Sequence, residues 1–134
     1  MSIFLSPTPE RNFCLLVDKL NDDDSSDDEI SQEKVKIWVS KELLAVVSPV
    51  FYTMFYGDFR ESHQTKAKEP IYLPGKNSQE FLEFLDCLFP YLTQIDINET
   101  NIVTVLRLSD EYQVKYLMDK CDQYLEKAVR GLPA

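Results

Sequence analysis

An apolar run from Leu43 to Tyr56, interrupted once at Ser48-Pro49, constrains this chain more than any other feature. Proline lacks an N–H and breaks a helix interior, yet at the first helical position no N–H is needed and the serine before it can accept a free amide. The run therefore predicts two short helices that abut at residue 48. It falls short of the roughly 20 unbroken apolar residues that span a bilayer. Gly57 is placed to close the second helix, whose inward face is predicted to carry Val50 and Met54 together with Phe51 and Phe55.

On either side the pattern changes. Residues 13–17 are apolar throughout and too few for a stable helix, which suits a strand buried on both faces. Residues 35–39 place Val35, Ile37 and Val39 at alternate positions, a strand able to pair back onto the first. Ile71, Tyr72 and Leu73 form a third strand, predicted to stop at the turn signal Pro74-Gly75. Everything beyond is helical. Asn77 to Glu80 resembles a capping box, and Phe81, Phe84, Leu85, Leu88, Phe89 and Leu92 recur on one helix face whose last turn Pro90 disrupts. Ile102, Val105, Leu106 and Ser109 mark the next helix, with Asn98 or Thr100 as its cap. Val114, Leu117, Met118, Cys121, Leu125 and Ala128 mark the last.

Three short strands, two helices between the second and the third, and about three more helices after it give an α+β class of about five helices and three strands. With 134 residues, 44% of them hydrophobic, the chain matches one domain over 1–134, in which 1–11 is an N-terminal extension and 20–33 an acidic loop between the first two strands.

A net charge of -9 opposes binding to phosphate backbones and anionic lipid, so neither nucleic acid nor membrane is expected as a partner. The three cysteines, Cys14, Cys87 and Cys121, sit inside apolar segments and lack paired spacing, which suits reduced thiols in the cytoplasm or nucleus. No apparatus for catalysis is recognisable. His63, the single histidine, lies in a polar stretch, and the three glycines never form a phosphate cradle. No cofactor or metal is expected.

The segment 21–29 concentrates like charge without a large apolar side chain and reads as a solvated, solubilising loop. It lacks the central glycine and alternating ligands of a calcium loop. Ser25 and Ser26 each have an acid three residues on, Asp28 and Glu29, a pattern resembling acidophilic kinase sites.

The stretch from Val39-Ser40-Lys41 through Leu44 to Ser48-Pro49-Val50-Phe51 resembles the signature of the BTB/POZ family. The likeness extends to residues 12–17, to 71–73, and to Leu106-Arg107-Leu108-Ser109-Asp110-Glu111-Tyr112, covering about 12–129. Its Val-Ser-Lys variant and Phe-Pro-Tyr helix ending resemble the BTB and MATH-BTB sets expanded in nematodes. The resemblance implies a sheet flanked by a helical cluster, self-association, and service as a substrate adaptor for cullin-3 ubiquitin ligases. In such adaptors a hydrophobic-x-Glu motif docks on the cullin N-terminal region, and Phe59-Arg60-Glu61 matches it; Tyr56, Tyr112, Lys115 and Tyr116 are expected to flank the same surface. Phe59 as a core residue is the alternative, as is an association module without cullin binding, for example in transcription. Ser40 stands where the family usually has histidine, and Asn12 where many members carry the aspartate that pairs with Lys41, so corepressor binding is not implied. About eleven residues precede the first strand and none follow the last helix that supply a further cullin-binding pair, which weakens dimerisation and tight cullin binding as expectations.

Overall fold

A computed structural model describes residues 2–19, 34–57 and 70–130. Its sheet has the order β2-β1-β3, with β1 (Phe13–Asp18) at the centre. β2 (Lys34–Val39) runs antiparallel to β1 from Phe13↔Val39 to Asp18↔Lys34, and β3 (Ile71–Asn77) runs parallel to it through Leu15↔Ile71. Successive side chains of a strand point to opposite faces, and the burial of Phe13, Leu15 and Val17 on one face and of Cys14 on the other shows both faces of β1 covered. In β2 the alternation holds in part: Ile37 and Val39 are buried and Val35 half-buried, while Lys34 and Lys36 face outward and Trp38 is half-buried.

β3 does not end at Pro74-Gly75. From Tyr72 to Asn77 it advances five residues while β1 advances two, from Leu16 to Asp18. Gly75, at a φ of 81°, takes up this excess in a conformation a Cβ would disfavour. On the solvent side the Tyr72 hydroxyl donates to Asp18 at 2.7 Å, and the Lys34 ammonium lies 4.6 Å from the Tyr72 ring centre.

Six α-helices occur among the described residues, with a 3₁₀ turn at Ile3–Leu5. α1 (Lys41–Val47) and α2 (Pro49–Tyr56) meet at Ser48 as expected. Ser40 caps α1 by accepting the Leu43 amide, and Ser48 caps α2 by accepting that of Phe51 at 3.0 Å. The inward face of α2 is Phe51 and Phe55; Val50 and Met54 are only half-buried, which corrects the predicted order. α2 is apolar almost all round, so periodicity could not choose between its faces.

α3 (Ser78–Leu88) buries Phe81, Phe84, Leu85, Cys87 and Leu88. Asn77 caps it through the Glu80 amide, while the Glu80 carboxylate pairs with Arg107 at 2.9 Å instead of closing the box. Pro90 ends α3 and opens the single turn α4 (Pro90–Thr93). α5 (Ile102–Glu111) starts from Asn101, not from Asn98 or Thr100. The Asn98 side chain accepts the amides of Thr100 and Asn101 and so shapes the turn before the helix. α6 (Lys115–Arg130) turns Leu117 and Cys121 inward, but Leu125 and Ala128, expected in the core, are exposed because the helix outruns the elements it packs on among the described residues.

The three cysteines are free and buried, and burial first, then Asp86 nearby, pushes the Cys87 thiol up to about 12. That leaves it protonated and a poor nucleophile at neutral pH.

Asp86 lies near the C-terminal end of α3, where burial, followed by the charge of Glu83, raises its carboxyl above the ordinary value of 3.8. Its protonated form is thus favoured on folding. The associated stability is fully present below the unfolded value and is lost as pH rises through the higher folded value. Asp86→Asn removes that loss together with an anion at the unfavourable helix end. The variant is expected to be more stable than the parent at pH 7 and little different at pH 3, read from urea unfolding at both.

Candidate partner-binding surface

At the end of α2, Tyr56 is 44% exposed, one helical turn from the exposed Tyr52, with ring centres 5.4 Å apart. Lys41 holds its ammonium 5.6 Å from the Tyr56 ring and 5.8 Å from that of Phe13, linking α1, α2 and β1 in a cation–π contact. Partial burial, and then the Glu42 carboxylate, raises the Tyr56 phenol above its usual range, so it stays neutral. Phe59 and Glu61, which follow directly in sequence, lie outside the described residues. So do Ser25, Ser26 and His63.

Lys115 opens α6 and is exposed; Tyr116 beside it is 42% exposed. The Tyr116 hydroxyl donates to the Leu88 carbonyl at 2.7 Å, which fastens α6 to the end of α3. Its ring lies 5.9 Å from the ammonium of Lys120, which pairs with Asp96 at 3.6 Å. One face of this tyrosine is therefore fixed while the other meets solvent.

Tyr112 does not belong to that surface. It is 4% exposed, stacks on Phe51 at 4.4 Å and on Phe84 at 5.7 Å, and receives the edge of Phe81 at 6.2 Å. Sequence placed it at a helix junction, where an aromatic residue can face either way. Here the inward faces of α2 and α3 converge on it. Its backbone remains useful, because the Ser48 hydroxyl donates to the Tyr112 carbonyl at 2.6 Å and so ties the α1–α2 corner to the α5–α6 corner.

Between those corners runs a groove of about 760 Å³. Lys115 and Tyr116 line it, but Tyr56 does not: it sits two turns from Pro49, about 10 Å along α2. The structure thus brings two of the predicted residues into one groove and leaves Tyr56 apart. Val46 and Asp119 also line it, and sequence reading did not single them out. Lys115, Met118, Asp119 and Asp122 follow the 3- and 4-residue spacing of one helix face, and that was the available signal.

Residues 17–128 match the family model of the BTB/POZ domain. The chain belongs to the BTB/POZ family. This BTB/POZ chain is 37% identical over 93 residues to BTB and MATH domain-containing protein 38 of Caenorhabditis elegans, covering 69% of this chain and 22% of that protein. It is 35% identical over 96 residues to BTB/POZ domain-containing protein 6 of Xenopus tropicalis, covering 72% and 17%. Each of these relatives is thus several times longer than the part this chain matches. The BTB domain of human gigaxonin aligns at 27% identity over 66% of this chain and 68% of that one, with a TM-score of 0.49. BTB/POZ domains are protein-interaction modules. Among the described residues no helix is long and apolar enough to cross a membrane.

Proposed function

We propose that this BTB/POZ chain acts as a substrate adaptor for cullin-3 type ubiquitin ligases, within the cytoplasm or nucleus. The observation that carries the reading is the exposed end of α2: Tyr52 and Tyr56 face solvent and the chain passes directly into Phe59-Arg60-Glu61. An apolar anchor with a carboxylate beside it fits a desolvated pocket with a charged rim. Lys115 and Tyr116 supply a second exposed patch, held to the rest of the fold through Tyr116 and Leu88. Three free, buried thiols suit a reducing compartment.

The test is titration of a cullin-3 N-terminal fragment into the parent chain and into a Phe59→Ala, Glu61→Lys double variant, with circular dichroism to verify folding. Loss of a central anchor and its charge is expected to weaken binding by about 30-fold or more. Unchanged affinity in a folded variant would falsify the assignment.

A second reading, self-association without cullin binding, is favoured by α1, whose outer face exposes Leu43 and, at 81%, Val46. For it, light scattering would report a dimer whose mass does not change when the cullin fragment is added.

A further inference from the structure

The groove between the α1–α2 corner and α6 has walls of different character. Val46, Val47 and Pro49 form one side and Met118 part of the other, all apolar, while Asp119 and Asp122 bring two exposed carboxylates along α6. Neither aspartate forms an ion pair among the described residues, whereas Lys120 and Arg130 on the same helix are paired with Asp96 and Glu126. With Lys115 as the one cation in the lining, two carboxylates against one ammonium leave the groove net negative. The whole chain adds to this field with its charge of -9.

We infer that this groove receives a cationic amphipathic segment of another protein, with apolar side chains against Val46, Val47, Pro49 and Met118 and a lysine or arginine facing Asp119 and Asp122. Apolar walls supply the area that comes out of water, and the unpaired carboxylates select the sign of the flanking charge. The inference rests on the reading of this chain as a protein-binding module, but not on cullin as the partner.

The experiment is selection of a displayed random-peptide library on the intact chain, with counter-selection on Val46→Asp. Binding of a selected fluorescent peptide to Asp119→Lys, Asp122→Lys is then measured by anisotropy. Val46, Asp119 and Asp122 are exposed, and thermal unfolding verifies each fold. Enriched peptides are expected to combine apolar anchors with net positive charge, to fail on Val46→Asp, and to weaken about tenfold or more on the double charge reversal. Neutral or acidic binders, equal binding to Val46→Asp, or no selectable binder overturns the proposal. Phe59→Ala, Glu61→Lys should keep peptide affinity. Loss of cullin binding with peptide binding kept, and the converse, therefore separate the two readings.

Discussion

Tyr112→Ala is expected to lower the unfolding free energy by about 3–5 kcal/mol, the range for truncating a buried aromatic ring. The ring holds together elements distant in sequence, stacking on Phe51 of α2 and Phe84 of α3 while Phe81 meets it edge-on. A cavity among three other rings cannot collapse without moving two helices, which puts the cost toward the upper end. Total stability of a domain this size is about 5–15 kcal/mol, so thermal unfolding should fall by roughly 10–20 °C. Tyr112→Phe separates ring from hydroxyl. The hydroxyl makes no hydrogen bond among the described residues, so this variant should stay within about 0.5 kcal/mol of the parent. Equal losses in the two variants would show that the stack is not what stabilises this junction.

Ser48→Ala is expected to cost about 2–3 kcal/mol, large for loss of a single oxygen. That oxygen accepts the Phe51 amide at the start of α2 and donates to the Tyr112 carbonyl, 64 residues away in sequence, at 2.6 Å. Ser48 is fully buried, so water cannot replace either partner. Ser40→Ala is the control: Ser40 caps α1 in the same way, through Leu43 at 3.3 Å, but in a solvent-exposed setting. Its loss should be nearer 0.5–1 kcal/mol. Urea unfolding of both variants measures the difference, and a Ser48 effect no larger than that of Ser40 would rule out the long-range bond as a stabilising contact.

The comparison of Ser48 with Tyr112 also indicates what could be read from residue order alone. The helix junction was legible because proline and serine act locally on their own backbone. The β1–β2 hairpin was legible from alternating β-branched residues. Phe51 and Phe55 were not separable from Val50 and Met54, because all four are apolar and only the rings of Tyr112 beside Phe51 and of Phe13 beside Phe55 decide which pair is covered. The continuation of β3 through Gly75 needed the partner strand, since Pro-Gly signals a turn unless a neighbour accommodates the excess as a bulge. Leu125 and Ala128 obeyed helical spacing yet lie in solvent, because periodicity tells which side of a helix is apolar but not how far its neighbours reach. Of the candidate surface, resemblance pointed to Lys115 and Tyr116, and the structure shows both exposed. The carboxylates of Asp119 and Asp122 acquire meaning only when Val46 and Pro49 lie across from them.

The central position of β1 has a consequence during synthesis. A nascent chain can zip residues 13–18 onto 34–39 early, but the other flank of that strand must wait on the ribosome until Ile71–Asn77 has been made. In that interval a half-finished ribbon with a greasy open side is free to pair with strangers.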